Sequence, residues 1–115
     1  MALRTFLVTS YTIKLSDKLS ATFGATTLKA RGIVSCIGAD NQRVVAYFLS
    51  PDSPIPAPTT TIEGRWGPVF LPEESMAVWI DMLRNEKPLY GYINTEHPEW
   101  TSVSTTEEPV GEEET

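Results

Sequence analysis

At 115 residues the chain is long enough for one hydrophobic core and too short for two ordinary domains. Its 41% hydrophobic content, with three Trp, four Tyr and four Phe, excludes a chain that is disordered throughout. The longest strongly apolar run, VVAYFL, is too short to span a bilayer, and the first residues lack the apolar run of a secretory signal, so we expect a cytoplasmic protein without membrane contact.

The net charge of −6 is unevenly distributed along the chain. Residues 1–50 carry six basic and two acidic side chains, whereas residues 51–115 carry three basic and thirteen acidic ones. Five of those acidic residues lie in the last ten positions, where like charges repel one another and little can be buried. We therefore expect one globular β-rich domain over residues 1–104 and a disordered acidic tail over residues 105–115.

Three segments in the first half are typical of strands. In TFLVTSYTIKLS apolar and polar residues alternate, which predicts a strand with one buried face. TTLKARGIVSCIG and NQRVVAYFL flank GADN, whose Gly, Asp and Asn suit a tight turn, so these two segments predict a hairpin. VVAYFL lacks alternation and is expected in the centre of the sheet, buried on both faces.

A proline-rich segment, SPDSPIPAPT, follows and cannot form a central strand, because prolines lack a backbone N–H group. We interpret it as a rigid connector inside the domain; the alternative is a ligand for an aromatic groove in another protein. Beyond it, TTTIEGRWGPVFLP predicts a fourth strand, with a bulge or a close backbone approach at Gly64 and Gly67.

One helix is predicted within LPEESMAVWIDMLRNEKP, with Pro72 in its first turn and Pro88 as its stop. Apolar residues at helical spacing form the stripe that should pack on the sheet: Met76, Trp79, Ile80 and Leu83. Val78 and Met82 widen this apolar arc, which indicates either a deeply buried helix or a homodimer interface.

The segment LYGYIN closes the domain as a fifth strand, with Tyr90 and Tyr92 on one face. The order of elements predicts an α+β fold with about five strands in one antiparallel sheet. The amphipathic helix is expected between the fourth and fifth strands.

Catalytic motifs are sparse in this sequence. Cys36, the single cysteine, lies among small and apolar residues and is interpreted as a buried, inert thiol. His97 is the single histidine and has no second histidine or cysteine nearby to share a metal. Glu63, Asp81 and Glu86 are the internal carboxylates available for acid–base chemistry, and nothing in the sequence pairs them. We therefore expect no cofactor, no metal and no catalytic residue.

Aromatic side chains cluster in the last two predicted strands and their flanks, with one arginine and the histidine. The predicted ligand-binding residues are Arg65, Trp66, Tyr90, Tyr92, His97 and Trp100. On one shared surface they would form a platform that stacks bases, grips a small planar ligand or anchors a protein partner. The alternative is that these rings fill the core between sheet and helix.

These features predict a non-catalytic binding module, dimeric, that acts on protein or small-molecule partners through its aromatic surface. A single-stranded nucleic-acid-binding domain is the alternative, with the acidic tail competing for the basic first half. A small enzyme that uses carboxylates alone is the second alternative.

Overall fold

The fold is built from strands in two sheets and one helix. A computed structural model describes residues 3–60 and 65–105. In chain order its elements are β1 Leu3–Leu7, β2 Ser10–Phe23, β3 Thr26–Ile37, β4 Arg43–Leu49, β5 Trp66–Pro72, α1 Met76–Asn85, β6 Tyr90–Asn94 and β7 Ser102–Ser104. Short 3₁₀ turns lie at Ala39–Asn41, Glu73–Ser75 and Pro98–Trp100. The predicted α+β class is confirmed, and none of the described helices is long and apolar enough to cross a membrane.

The single antiparallel sheet of the prediction is replaced by two sheets. Four strands form one sheet in the order β2-β3-β4-β5, and three form the other in the order β1-β6-β7. Strands β4 and β5 are parallel, whereas the other pairs are antiparallel. A parallel pair needs a crossover connection, and the proline-rich connector leads into it after Leu49.

The described residues form seven strands where five were expected, partly because the first predicted strand divides at Val8 and Thr9. The N–H of Val8 donates to Leu89 O at 2.9 Å, and the N–H of Thr9 donates to Ile37 O at 2.8 Å. The chain thus leaves one sheet and enters the other between two neighbouring residues. The alternation of apolar and polar residues does not reveal this break, because the alternating pattern continues unchanged through Val8 and Thr9.

The seventh strand, Ser102–Ser104, is too short and too polar to produce a strand pattern. This strand is identified only by its antiparallel pairing with β6 in the structure. The helix keeps its predicted place, because the strands before and after it are β5 and β6. The predicted acidic tail lies, except for Thr105, outside the described residues.

Strand β4 separates two hydrophobic cores, as its uninterrupted apolar sequence predicts. The helix-side core consists of Val34, Cys36, Ala46, Phe48, Leu83 and Leu89. The opposite core consists of Leu28, Ala30, Val45, Tyr47 and Leu49. Successive β4 side chains alternate between the two, so both faces of this strand are buried.

A bulge in β3 lets one strand contribute to both cores. Ala30 pairs with Leu49, but Gly32 pairs with the adjacent Phe48, so Arg31 is an extra residue. Because side chains alternate with a period of two, one extra residue moves the apolar set to the other face. The apolar side chains in the first half of β3 therefore point into the opposite core, and those in the second half point towards the helix. Strand β2 has a pairing irregularity of its own between Leu15 and Leu19, beside this bulge.

Helix α1 is shorter than its sequence pattern suggests. Pro72 ends β5 instead of lying in the first helical turn, and a 3₁₀ turn precedes Met76. The helix ends at Asn85, three residues before Pro88. All four residues of the predicted stripe pack in or against the helix-side core, which confirms the face that the spacing selects.

A glycine contact generates the first prediction. A Cβ placed on Gly91 would overlap the ring of Phe6, which is buried and packs with Val44 and Ile93. We expect Gly91→Ala to lower the free energy of unfolding by about 1–3 kcal/mol, measured by urea denaturation, as overpacked cores do. The control is Gly24→Asn at the exposed β2–β3 turn, where φ is +62°, no atom lies within 4 Å, and asparagine tolerates the backbone conformation. Equal stability of the two variants would contradict this account.

Candidate functional site

The structure distributes the six predicted ligand-binding residues over three places. Arg65 and Trp66 lie at the start of β5, Tyr90 and Tyr92 lie on β6, and the remaining two lie on the 3₁₀ turn that follows β6. Tyr92 is only 2% exposed, so its ring offers almost no surface to a ligand. Tyr90 is half-buried, as Trp66 is. Burial therefore removes Tyr92 from any aromatic binding surface.

His97 and Trp100 form a small stacked pair on the surface. Their ring centroids are 4.1 Å apart and their planes differ by 15°. Asn94 Oδ1 accepts hydrogen bonds from the N–H groups of Glu96 and His97, each at 2.9 Å, and so holds the turn in place. Glu99 Oε2 lies 3.4 Å from Nδ1 of His97. The hydrogen bonds of its own turn thus position the pair.

Trp66 belongs to a second aromatic group, the four-ring cluster of Phe23, Tyr47, Trp66 and Phe70. Phe23 contacts the other three rings. It stacks on Trp66, with 5.7 Å between the ring centroids and 8° between the ring planes. It contacts Tyr47 and Phe70 edge-on, with centroid distances of 5.4 and 5.2 Å. Burial raises the pKa of the Tyr47 hydroxyl. These rings lie on the face of the four-stranded sheet away from α1, and edge-on contacts of this kind stabilise their relative positions.

A groove of about 660 Å³ adjoins the four-ring cluster, and we call it the Trp66 groove. Its walls are residues 22–26 at the β2–β3 turn, residues 57–59 of the proline-rich connector, and Trp66. None of these lining residues is charged. Three threonines supply hydroxyl groups, and the Thr22 hydroxyl already shares a 3.0 Å hydrogen bond with that of Thr27. The groove thus combines two stacked rings with a few neutral polar groups.

Phe23, Tyr47 and Phe70 are the residues that the sequence interpretation missed. The available signal was the alternation of Leu19, Ala21 and Phe23, which extends the β2 pattern well beyond the predicted strand. A predicted strand that continued with this alternation to Phe23 would have included one more aromatic ring of the candidate site. Phe23 and Trp66 are 43 positions apart in the sequence, and the sheet brings them together. No local sequence pattern predicts this stacking contact.

A charged cleft of about 480 Å³ lies beside the bulges of β2 and β3. Lys29 Nζ is 3.3 Å from Asp52 Oδ2, and Arg31 contacts both carboxylate oxygens of Glu73 at 3.1 and 3.3 Å and Asp17 at 3.9 Å. The hydrogen bond and the positive charge of Lys29 lower the pKa of Asp52. Two of the basic groups of the cleft, Lys29 and Arg31, thus already face carboxylates, which offsets part of the positive charge that the cleft offers to an anion.

Two of the three carboxylates considered for acid–base chemistry lie within the described residues. Glu63 lies outside the described residues, Glu86 is exposed just after α1, and the Asp81 carboxylate accepts a hydrogen bond from Asn85 at 2.8 Å. Among the described residues, no group of three histidine, cysteine or carboxylate side chains is arranged to hold a metal ion.

The two residues of the predicted dimer interface occupy different environments. Val78 is 71% exposed on the outer face of α1. Met82 packs against the helix-side core and is only partly accessible. A contact through α1 would therefore rely mainly on Val78, and its use as an interface stays a prediction.

Comparison of the chain with protein-family models, with curated proteins and with solved structures gives no match. The function must therefore be argued from the described geometry alone.

Cys36 is a free cysteine buried in the helix-side core, and its reactivity tests this burial. Burial in the helix-side core raises the pKa of its thiol to about 12, so at pH 8 the reactive thiolate is about a thousandfold scarcer than for an ordinary cysteine. We expect the folded protein to resist labelling by a thiol reagent and the urea-unfolded protein to react fully. Rapid labelling under native conditions would contradict the burial of this residue.

Proposed function

We propose that the protein is a non-catalytic binding module that holds a neutral, partly apolar ligand in the Trp66 groove. The observation that carries this proposal is the stack of Trp66 on Phe23 in the wall of an open groove of about 660 Å³. Binding sites for small molecules are concave, largely apolar, and typically about 300–1,000 Å³ in volume. A small ring-containing compound or a short apolar peptide segment suits these dimensions.

The lining chemistry supports a neutral ligand. An ionic ligand would lose water on entering a groove without a charged partner, and that loss costs free energy. A neutral ligand with one ring can stack beside Trp66 and can hydrogen-bond to threonine hydroxyls such as those of Thr26 and Thr59. The walls also hold their shape, since Phe23 is fixed by three neighbouring rings.

The nucleic-acid alternative and the enzyme alternative have weaker support. Three basic side chains of the first half, Lys18, Lys29 and Arg31, line the charged cleft together with Asp17 and Asp52. A phosphate backbone would compete with the carboxylates that already contact Lys29 and Arg31. Competition by the acidic tail is part of the same alternative and rests on residues outside the described ones. An enzyme that uses carboxylates would need a pair close in space, and Asp81 and Glu86 lie on or beside the exposed helix end.

The test is a screen of neutral aromatic and heteroaromatic fragments by ligand-observed NMR. We expect Trp66→Leu to weaken binding of the fragments found by roughly tenfold or more, about 1.4 kcal/mol, because stacking on the indole is lost. Trp100→Phe is the matched control, since it alters the other surface stack and leaves the groove intact.

Three results would contradict the proposal. Fragments that bind equally to Trp66→Leu do not use the groove. Fragments whose binding is weakened only by Trp100→Phe assign the ligand to the turn after β6. Salt-sensitive binding of a mixed-sequence single-stranded oligonucleotide, unaffected by Trp66→Leu, would favour the nucleic-acid alternative.

A further inference from the structure

Strand β2 is an edge strand, and its outer edge is unpaired within the described residues. Its first part, Ser10–Leu15, pairs regularly with β3, and the irregularity between Leu15 and Leu19 begins directly after it. A regular edge presents a row of backbone N–H and C=O groups that can accept another strand. The segment of β2 suitable for pairing is therefore short and has a defined end.

Apolar side chains accompany this open edge. Tyr11, Ile13 and Leu15 alternate along one face, and Ile13 packs against the helix-side core. Tyr11 is 36% exposed and Leu15 is 62% exposed. Exposed apolar groups next to unpaired backbone groups are typical of an interface. The charged residues of this strand lie elsewhere: Lys14 is on the other face, and Asp17 and Lys18 follow the regular segment.

A groove of about 550 Å³ lies along the same face, between the start of β2 and the end of α1. We call it the Tyr11 groove. Its apolar walls include Leu7, which is 50% exposed, and also Tyr11, Leu83 and Leu89. Tyr11, Ile13 and Leu15 form an apolar strip along the edge, and Tyr11 also belongs to the wall of the groove, which includes the charged Glu86 and Lys87.

We propose that a second copy of this chain pairs with the β2 edge in antiparallel orientation, with a two-fold axis at Ile13. In this register Ile13 faces Ile13 of the second copy, and Tyr11 faces Leu15 of the second copy. Each exposed Leu15 then lies at the rim of the Tyr11 groove of the other copy. The contact is isologous, so both grooves and both Leu15 side chains are covered at once.

The choice of a second copy follows from the symmetry of the segment about Ile13. Apolar residues stand two positions before and two positions after it, so antiparallel self-pairing matches apolar with apolar on the helix side. On the other face Lys14 lies opposite Thr12, both of which are exposed. No charge faces a like charge within this five-residue pairing, residues 11–15.

Neighbouring registers are less favourable. A slip of two residues in one direction places Lys14 opposite Lys14, and like charges directly opposite are destabilising. A slip of two in the other direction places Leu15 opposite Thr9 and leaves it without an apolar partner. A slip of one residue opposes Ile13 to Lys14 and puts the two α1 helices on opposite faces of the joined sheet. One register is thus selected.

Light scattering on the eluting peak tests the oligomeric state. We expect the full chain to have twice its 12.7 kDa mass, and Leu15→Lys to be monomeric at the same concentration with an unchanged circular dichroism spectrum. Val78→Lys is the matched control, since it places the same charge on the exposed helix face. A monomeric full chain, or a dimer that survives Leu15→Lys and is lost in Val78→Lys, would overturn the proposal.

Oxidative cross-linking tests the register even if Leu15→Lys fails to fold. Residues directly opposite have Cβ atoms about 4.5–5.5 Å apart, whereas diagonal neighbours are about 7–8 Å apart. We therefore expect an equimolar mixture of Thr12→Cys and Lys14→Cys to form a disulfide-linked dimer, and each variant alone to form little. Cys36 is buried and does not interfere. Failure of the mixture to cross-link more than the single variants would overturn the proposed pairing.

Discussion

The burial of β4 on both faces is the constraint on which the rest of this fold depends. A strand with apolar residues at nearly every position needs other elements packed on both of its faces. A chain of 115 residues has few helices and strands available to cover both faces. On one side α1 and the three-stranded sheet cover it, with Phe6 and Ile93 joining the small sheet to Val44. On the other side there is no described helix, and the bent ends of β2 and β3 and the proline-rich connector take its place.

This unequal covering explains where the Trp66 groove lies. A helix fills the surface it packs on with closely spaced side chains, whereas a connector of extended, proline-rich chain covers a sheet face less completely. Pro56 of the connector is buried, but the flanking residues 57–59 leave a gap beside Trp66 that the chain does not fill. The four-ring cluster is thus both the packing of the second core and the wall of the Trp66 groove. The proposed binding role therefore falls on rings that also have a structural role, because so small a domain has few aromatic residues to divide between the two.

The sequence predicts those parts of the fold that depend on local pattern. The hairpin around GADN, the central place of β4, the apolar stripe of α1 and the connector role of the prolines follow from turn residues, periodicity and missing N–H groups. The two-sheet arrangement does not follow, because alternation runs unbroken through Val8 and Thr9, where the chain changes partner. The candidate site is predicted only through Trp66. Its partner Phe23 and the ion pair of Arg31 with Glu73 depend on contacts between residues more than 40 positions apart.

The irregularities in β2 and β3 connect the two proposed surfaces. Before its irregularity β2 presents Ile13 to the helix side, and after it β2 presents Leu19 and Phe23 to the opposite core. One strand therefore supplies an edge with an apolar strip at its start and the central ring of the four-ring cluster at its end. The two surfaces lie on opposite faces of the sheet, so a partner on the edge would leave the Trp66 groove open. A regular strand of the same length would have placed all of its apolar residues on one face, and the second core would have lost both Leu19 and Phe23.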